Sequence, residues 1–364
     1  MELREYCFDE VSVNYDKKRV PLSGAQREKR KGDYRYYGAQ GVIDYIDDYI
    51  FNGNFLLIAE DGENLKSKKQ NIAQVVNGQF WVNNHAHIVT GNELCDTNYL
   101  CYLINSMDLS GYVTGSAQPK LSQANLNAVK LLLPQIEVQK KIVDYLRKID
   151  EKIELNMQIN ENLCDQMKAI YLHAKKSSIW NECKLGEILT FYDHMRKPLS
   201  SRQREGMVRL YPYYGATSVV DYVDAYIFDG VYILISEDGA NVVDALGHPL
   251  IQYTYGKFWV NNHAHIVQGN MFYSEALLFA LLKTLNMSSI VTGAAQPKIN
   301  QANLKDFCIV APSNQEAMHL SNVLNPFLEQ IIKNDLQNTI LSNLRDTLLP
   351  RLMSGELDIS NLDI

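Results

Sequence analysis

The apolar pattern is most regular between residues 142 and 174, where seam positions recur at alternating steps of four and three residues. Such heptad spacing predicts a helix that packs lengthwise against another helix. The same pattern recurs 178 residues later, which predicts two long helices in one coiled coil, antiparallel if a pseudo-twofold axis relates them. The seam positions are Ile142, Leu146, Ile149, Ile153, Asn156, Asn160, Leu163, Met167, Ile170 and Ala174, then Leu320, Leu324, Phe327, Ile331, Asn334, Asn338, Leu341, Arg345, Leu348 and Leu352.

Each seam contains two asparagines at matching positions, Asn156 and Asn160 in the first and Asn334 and Asn338 in the second. In an antiparallel pair of helices, the numbers of facing residues have a constant sum. Asn156 with Asn338 gives 494, and Asn160 with Asn334 gives the same sum. Because a buried Asn needs a polar partner, we predict one central amide layer that sets the register. The alternative is that these amides face solvent.

A globular segment precedes each long helix, and the two segments share their motifs in the same order. We expect strand-like pieces at 7–15, 42–47 and 49–51, strands at 219–224 and 226–228, and helices at 99–107 and 275–285. Pro134 and Pro312 close the two segments. The predicted fold class is α+β, with two mixed α/β domains in pseudo-twofold repeat and two long helices. The predicted boundaries are 1–134, 135–177, 178–312 and 313–364.

The composition is that of a soluble globular protein, with 364 residues, 46% hydrophobic and 21% charged. No apolar run reaches membrane-spanning length and no signal peptide opens the sequence. The six cysteines are scattered without Cys-x-x-Cys spacing, which predicts reduced thiols and a cytoplasmic protein. The net charge of −7 counts against nucleic-acid binding by the chain as a whole, so a DNA hypothesis depends on local charge.

Two locally basic segments stand out, at residues 17–35 and 196–209. The first has eight basic and two acidic residues, and the second has five basic residues and one acidic residue. A basic surface that occurs in both repeats is typical of phosphate binding. The alternative is a solvated loop whose charges bind nothing. The candidate phosphate contacts are Arg30, Lys31, Arg35, Arg204 and Arg209. Tyr36 and Tyr213, in the Tyr-Tyr-Gly-Ala motifs, are candidates either for DNA contact or for the core.

A Trp-Val-Asn-Asn-His-Ala-His motif occurs at 81–87 and again at 259–265. On a strand, His-x-His directs both imidazoles to one face, as in some metal sites. No further ligand stands at a suitable nearby spacing, so histidines in the core or in hydrogen bonds are the favoured interpretation and no metal is expected.

Both repeats also contain Val-Thr-Gly, then one small residue, then Ala-Gln-Pro-Lys, at 113–120 and 291–298. Gly and Pro flank Gln118 and Lys120 in the first loop, and Gln296 and Lys298 in the second. Gln pairs with adenine edges, and Lys with guanine or phosphate, so these four are candidate DNA readers. The alternative is a turn that caps the next helix. The repeats diverge at 63–77 against 240–255, and at Arg35 against Pro212.

Motifs for catalysis are missing from the sequence. The nearest approach to the methyltransferase motif Asp/Asn-Pro-Pro-aromatic is 325–327, which lacks one proline, and no phosphate-binding loop is present. Pairs of acids at 60–61 and 237–238 are better explained as structural groups. We therefore expect a non-catalytic chain.

Together these motifs resemble the DNA-specificity subunit of type I restriction-modification systems. The resemblance is carried by both Tyr-Tyr-Gly-Ala motifs, both Trp-Val-Asn-Asn-His-Ala-His motifs, both Gln-Pro-Lys loops and the tail at 348–357, and it covers the whole chain. It implies two target-recognition domains of mixed α/β fold, each reading half of a split site on double-stranded DNA. It also implies a coiled coil that docks two modification (methyltransferase) subunits, which restriction subunits then join. S-adenosylmethionine is expected on the methyltransferase, with no cofactor on this chain.

The spacing of the seam agrees with that expectation. Its 32 steps span roughly 48 Å at about 1.5 Å per residue, whereas one turn of B-DNA is about 34–36 Å. Because the repeats are so similar, we expect a nearly palindromic split target. The remaining alternative is an interaction module that binds glycan or protein through aromatic-rich domains, since the chain has 22 tyrosines.

Overall fold

The computed structural model describes residues 2–68, 70–115, 118–293 and 295–359. The chain divides into two compact units, the first comprising 1–153 with 339–364 and the second comprising 154–338. Each unit therefore contains one globular repeat and a stretch of both long helices. Across the described ranges, no helix is both long and apolar enough to span a membrane. The α+β fold class with two repeats and two long helices is confirmed.

The first repeat is built on a six-stranded mixed sheet of order β2-β7-β5-β6-β3-β4, beside a two-stranded sheet of β1 and β8. Its pairs are antiparallel except β3 with β6, which is parallel. The elements are β1 (Arg4–Cys7), α1 (Phe8–Val11), β2 (Ser12–Asn14), α2 (Gly24–Glu28), β3 (Lys31–Gly38), β4 (Gly41–Ile46), β5 (Phe51–Ala59), α3 (Asn64–Ser67), β6 (Ala73–Val82), β7 (Ala86–Gly91), α4 (Thr97–Ser106), α5 (Gln123–Asn127), β8 (Lys130–Leu133) and the long helix α6 (Ile136–Ser177).

The second repeat has a similar order of elements, but two strands stand in place of each of β5 and β6, and no helix corresponding to α3 lies among its described residues. Two four-stranded sheets, β10-β17-β14-β15 and β12-β11-β16-β13, replace the six-stranded one, beside the pair β18-β9. The elements are β9 (Asn181–Lys184), α7 (Leu185–Ile188), β10 (Leu189–Phe191), α8 (Ser201–Arg204), β11 (Tyr211–Tyr214), β12 (Val219–Val223), β13 (Phe228–Asp229), β14 (Tyr232–Ser236), β15 (Ile251–Thr254), β16 (Lys257–Val260), β17 (Ala264–Gly269), α9 (Glu275–Leu282), α10 (Gln301–Asp306), β18 (Cys308–Ala311) and the long helix α11 (Asn314–Met353).

The predicted strand at 7–15 was wrong, because one helical turn, α1, divides it into two strands. Glu10 accepts a hydrogen bond from the Cys7 backbone N–H at 2.5 Å and so caps this turn. Phe8 and Val11 are buried by the turn. The predicted helices at 99–107 and 275–285 are present as α4 and α9.

Helix stretches complete the core of each unit. In the first unit, Leu352 and Met353 of α11 join the cluster that holds Ile142 and Leu146 of α6. In the second unit, Met167 and Tyr171 of α6 share an apolar cluster with three residues of α11, namely Leu324, Leu328 and Ile331. Most residues of α9 belong to the same cluster. The globular repeats and the coiled coil are therefore not separate packing units, since each repeat buries apolar residues against helix.

The coiled coil is antiparallel in both units. In the second unit, Asn156 Nδ2 donates to Asn338 Oδ1 at 2.8 Å, and Asn334 Nδ2 donates to Asn160 Oδ1 at 2.7 Å. These are the two pairs whose numbers sum to 494. In the first unit, Arg345 Nη1 donates to Asp150 Oδ1 at 2.8 Å. The amides thus lie between the helices rather than in solvent.

Candidate nucleic-acid interface

Each Gln-Pro-Lys loop is a short hairpin. In the first, Thr114 and Lys120 exchange two backbone hydrogen bonds of 2.8 Å, and Thr292 and Lys298 do the same in the second. Gly115 has a φ of +83°, and a Cβ there would lie 2.3 Å from the Gln118 carbonyl oxygen, so only glycine fits. Ser116, Ala117 and Ala294, which belong to these motifs, lie outside the described residues.

The four predicted readers occupy two kinds of position in these hairpins. Gln118 and Gln296 are exposed. Lys120 Nζ lies 3.3 Å from Glu60 Oε1, and Lys298 Nζ lies 3.1 Å from Glu237 Oε1. The two lysines are therefore ion-paired at the base of each hairpin, whereas the glutamines are presented to solvent.

A cluster of charged side chains lies beneath each hairpin, and we call it the carboxylate–histidine cluster. The first contains Asp16, Arg19, Glu60, His87 and Lys120, and the second contains Asp193, Arg196, Glu237, His265 and Lys298. His87 Nδ1 lies 2.6 Å from Asp16 Oδ2, and its Nε2 lies 2.8 Å from the Leu121 carbonyl oxygen. Both ring nitrogens of this buried histidine therefore face oxygen atoms of the protein.

Arginine binds the carboxylates of both clusters. Arg19 Nη1 donates to Glu60 Oε2 at 2.9 Å and to the Ala86 carbonyl oxygen at 2.7 Å. Burial raises the pKa of Asp16, but hydrogen bonds from His87 and the Ile88 N–H outweigh this effect, so the pKa lies below its ordinary value. The pKa of Asp193 is lowered in the same way, with His265 as its principal hydrogen-bond partner against the effect of burial.

Asp193, Glu237 and His265 lie close enough together to resemble a metal site. However, His265 Nδ1 lies 2.6 Å from Asp193 Oδ2, and its Nε2 lies 2.8 Å from the Ile299 carbonyl oxygen. The Arg196 guanidinium lies 2.6 Å from Glu237. Since no nitrogen lone pair of His265 is directed at a metal and Arg196 supplies the positive charge, these residues do not fit a metal ion.

The two histidines of each His-x-His motif have different environments, so the expectation of one shared face was wrong. His85 lies in the turn before β7, and its side chain is 49% exposed, whereas that of His87 is 1% exposed. His85 Nδ1 lies 2.6 Å from Asp61 Oδ2. In the second repeat, His263 is 48% exposed and lies 2.6 Å from Asp238 Oδ1.

Acids that are distant in sequence neutralise much of the first basic segment. Arg30 lies 2.8 Å from Asp47 and stacks over Trp81, and Lys31 lies 2.9 Å from Asp44. The hydrogen bond from Lys31 is the main reason why the pKa of Asp44 is lowered to about 2. Arg35 Nη2 donates to the Asn77 carbonyl oxygen and lies over Tyr37. The charge excess predicted from residues 17–35 alone is therefore too large.

The second basic segment shows the same effect. Arg204 lies 2.8 Å from Asp221 and over the Tyr213 ring, and its side chain is mostly buried. Arg209 is 78% exposed and lies 4.0 Å from Asp221. Of these two candidates, Arg209 has the more accessible charge.

Tyr36 and Tyr213 do not belong among the candidate DNA contacts. Both are buried, at 0% and 1% exposure. The Tyr36 hydroxyl accepts a hydrogen bond from the Leu22 N–H at 2.9 Å, and the Tyr213 hydroxyl accepts one from Leu199. Of the two roles considered for these side chains, the core role is the one that the structure supports.

The chain was compared with known proteins. A family model described as "Type I restriction modification DNA specificity domain" matches residues 5–164 and 178–344. A putative type I restriction enzyme specificity subunit of Haemophilus influenzae is 34% identical over 139 residues, which is 38% of this chain and 35% of that protein. The chain thus spans about a third of that relative's length in the match.

Two further comparisons cover more of the chain. The MjaIX specificity subunit of Methanocaldococcus jannaschii is 23% identical, over 73% of this chain and 70% of that protein. The solved S subunit of a type I restriction-modification system from M. genitalium gives a TM-score of 0.58 at 16% identity, covering 99% of this chain and 97% of that one. At this identity, the structural likeness is one of fold.

Proposed function

The chain belongs to the family of type I restriction-modification specificity subunits, and on that basis we propose that each of its two repeats reads one half of a split site on double-stranded DNA. The observation that supports this most directly is the repetition of one polar surface. Each repeat has an exposed Gln on a glycine-dependent hairpin, above a carboxylate–histidine cluster. One chain with two such surfaces is suited to two DNA half-sites.

The coiled coil is the proposed spacer between the half-sites. Helix α6 has 42 residues and α11 has 40. At about 1.5 Å per residue these helices are roughly 60 Å long, which exceeds one turn of B-DNA. The amide pairs Asn156–Asn338 and Asn160–Asn334 are the proposed register-setting contacts, because a shifted register would leave amides without partners.

The chain is proposed to act without catalysis of its own. We assign methylation to two modification subunits that carry S-adenosylmethionine, and cleavage to restriction subunits that join them. We propose that the modification subunits contact exposed apolar side chains on the helices of the second unit. These side chains are Leu155, Met157 and Ile159 on α6 and Leu336 on α11.

The two half-sites are proposed to be similar, which makes the target nearly palindromic. The clusters of the two repeats have the same residue types and nearly the same distances, and the two hairpin sequences differ only at Ser116 against Ala294. Differences are expected where the repeats diverge. Arg35 contacts the Asn77 carbonyl oxygen, whereas the second repeat has Pro212 and Tyr255 at these positions.

The test is to co-express the chain with its cognate modification subunit and to map adenine methylation by single-molecule sequencing. We expect a split, nearly palindromic motif that requires this chain. The modification subunit alone, and the subunit with a Gln118→Ala/Gln296→Ala chain, are the controls. A split motif with unrelated halves would remove the symmetry proposal, and no methylation from a competent modification subunit would contradict the recognition role.

Salt dependence separates DNA binding from glycan binding. Affinity for DNA should fall with log salt at a slope of about −0.9 for each phosphate contacted. Affinity for a neutral glycan would change little over the same range. A flat salt profile would therefore favour the interaction-module alternative.

A further inference from the structure

The exposed histidine of each His-x-His motif has a defined orientation. Asp61 holds Nδ1 of His85 at 2.6 Å, and Asp238 holds Nδ1 of His263 at 2.6 Å. About half of each imidazole is exposed. Among the residues that the structure describes, none forms a hydrogen bond with Nε2 of either ring. Nε2 is therefore the atom that each ring presents to solvent.

The backbone around these histidines is also fixed. The His85 N–H donates to Asn83 Oδ1 at 2.8 Å, and the Asn83 N–H donates to the Tyr37 carbonyl oxygen at 3.0 Å. The equivalent bonds join His263 to Asn261 and Asn261 to Tyr214, at 2.8 and 3.0 Å. The two rings are thus held on the sheet rather than on free loops.

The same backbone joins each histidine to the Gln-Pro-Lys hairpin. The Glu60 N–H donates to the His85 carbonyl oxygen at 2.9 Å, and the Leu121 N–H donates to the Glu60 carbonyl oxygen at 2.8 Å. Asp61 forms a β-bridge with Lys120, and Asp238 forms one with Lys298. The imidazole and the hairpin that carries the exposed Gln therefore share one hydrogen-bonded frame in each repeat.

Stability does not account for these pairs. An exposed pair of this kind contributes little to stability, and often nothing measurable. The fold already has a buried histidine two residues later, with both nitrogens bonded. An oriented surface imidazole with one available nitrogen, built twice beside the same hairpin, is better explained by a ligand.

We infer that His85 and His263 read a base edge, each through Nε2 and each beside the Gln of its own hairpin. When the Asp carboxylate accepts a hydrogen bond from Nδ1–H of a neutral ring, Nε2 carries the lone pair and can accept a hydrogen bond from the amino group of adenine or cytosine. In the charged ring, Nε2–H donates to guanine. The charged groups around each ring are the Asp, the neighbouring Glu and the hairpin Lys. The two carboxylates offset the charge of the Lys, so this surface lacks the excess positive charge of a pure phosphate contact. The inference rests on the proposed function.

The experiment uses the complex with the modification subunit and DNA probes that carry every base pair at each half-site position. Replacing His85→Ala should relax discrimination at one position, by roughly 5- to 150-fold, while other positions stay unchanged. His263→Ala should do the same. Each single variant should tolerate a mismatch in one half-site, and only the double variant should tolerate mismatches in both.

Three controls make the outcome decisive. His173→Ala removes an exposed imidazole from α6 and should leave discrimination unchanged. Asp61→Asn should weaken discrimination at the same position as His85→Ala, because it frees the ring orientation. Equal thermal unfolding of the variants and the wild type would establish that the fold is intact.

Two results would overturn the inference. One is unchanged discrimination in the double variant, and the other is a uniform loss of affinity over all probes with a shallower salt slope, which marks a phosphate contact. A wild-type complex that fails to recognise any probe would instead contradict the proposed function, so the two failures are distinguishable.

Discussion

Asp193 accepts several hydrogen bonds in the carboxylate–histidine cluster of the second repeat. It binds His265 at 2.6 Å, Gln301 at 2.8 Å and the Ile266 N–H at 2.9 Å. Asp193→Asn should lower the free energy of unfolding by about 3–5 kcal/mol, because it removes the carboxylate charge from a buried network of charged and polar partners. Urea denaturation measures this loss, with the exposed Asp224→Asn as the control. A loss below about 1 kcal/mol would mean that the network does not depend on the charge of Asp193.

The carboxylate–histidine clusters predict how stability changes in acid. The pKa values of Asp16 and Asp193 are lower in the folded state, so the unfolded state binds more protons. Their contribution is complete above about pH 4, the ordinary pKa of Asp, and is lost as the pH falls through the folded values. Denaturation between pH 7 and 3 should show this decline, with a smaller slope in Asp16→Asn. An equal slope in that variant would assign the decline to other carboxyls.

The two histidines show how far a local pattern can predict a site. Alternation predicted that His85 and His87 share one face, but β7 begins at Ala86, and His85 belongs to the turn. Asp16, which binds His87, is 71 residues away along the chain. The repeated motif identified residues of interest, whereas their burial and partners depend on tertiary contacts that a single sequence does not encode locally.

At the scale of elements, the Gln-Pro-Lys hairpin depends on a backbone that only glycine adopts readily. In Gly115→Ala, the added Cβ would meet the Gln118 carbonyl oxygen at 2.3 Å. About 1–3 kcal/mol of local strain should distort the hairpin and lower DNA affinity, while the melting temperature changes little because the hairpin is exposed. Gly111→Ala, whose Cβ meets nothing within 4 Å, is the control. Unchanged affinity would exclude the hairpin from the interface.

The amide layer of the coiled coil makes a separate prediction. Asn156→Leu leaves Asn338 without its amide partner, and Asn338→Leu does the reverse. The two substitutions should therefore not be additive, with a coupling of about 0.5–3 kcal/mol in a double-mutant cycle. Additive losses of stability would show that the contact does not contribute.

Sequence reasoning succeeded best for the helices, because a heptad seam is a long local signal. It did less well for charge. Residues 17–35 appeared strongly basic, but Asp44 on the neighbouring strand β4 binds Lys31, and Asp47 just after β4 binds Arg30. Strand pairing brings these acids in, so a count along the chain overestimates the free positive charge.

At the scale of the molecule, the second unit is one continuous piece of chain, 154–338. We expect this fragment to fold alone and to unfold cooperatively in circular dichroism. The globular repeat without the long helices, 178–312, should not fold alone. The core of the unit includes four residues from the long helices, Met167, Tyr171, Leu324 and Ile331. A stable 178–312 fragment would contradict this account and support the boundaries predicted from the sequence.

The first unit is discontinuous, and this has a consequence for protein synthesis. Leu352 and Met353, which complete its core, leave the ribosome more than 200 residues after Ile142 and Leu146. At about 5–20 residues per second, the first repeat waits roughly 10–40 s for its last core residues. The second unit begins later in the chain, but all of its residues are synthesised before the last core residues of the first unit. On a nascent chain, the core of the second unit can therefore be completed before that of the first. A prematurely terminated chain presents an incomplete first repeat to chaperones and proteases.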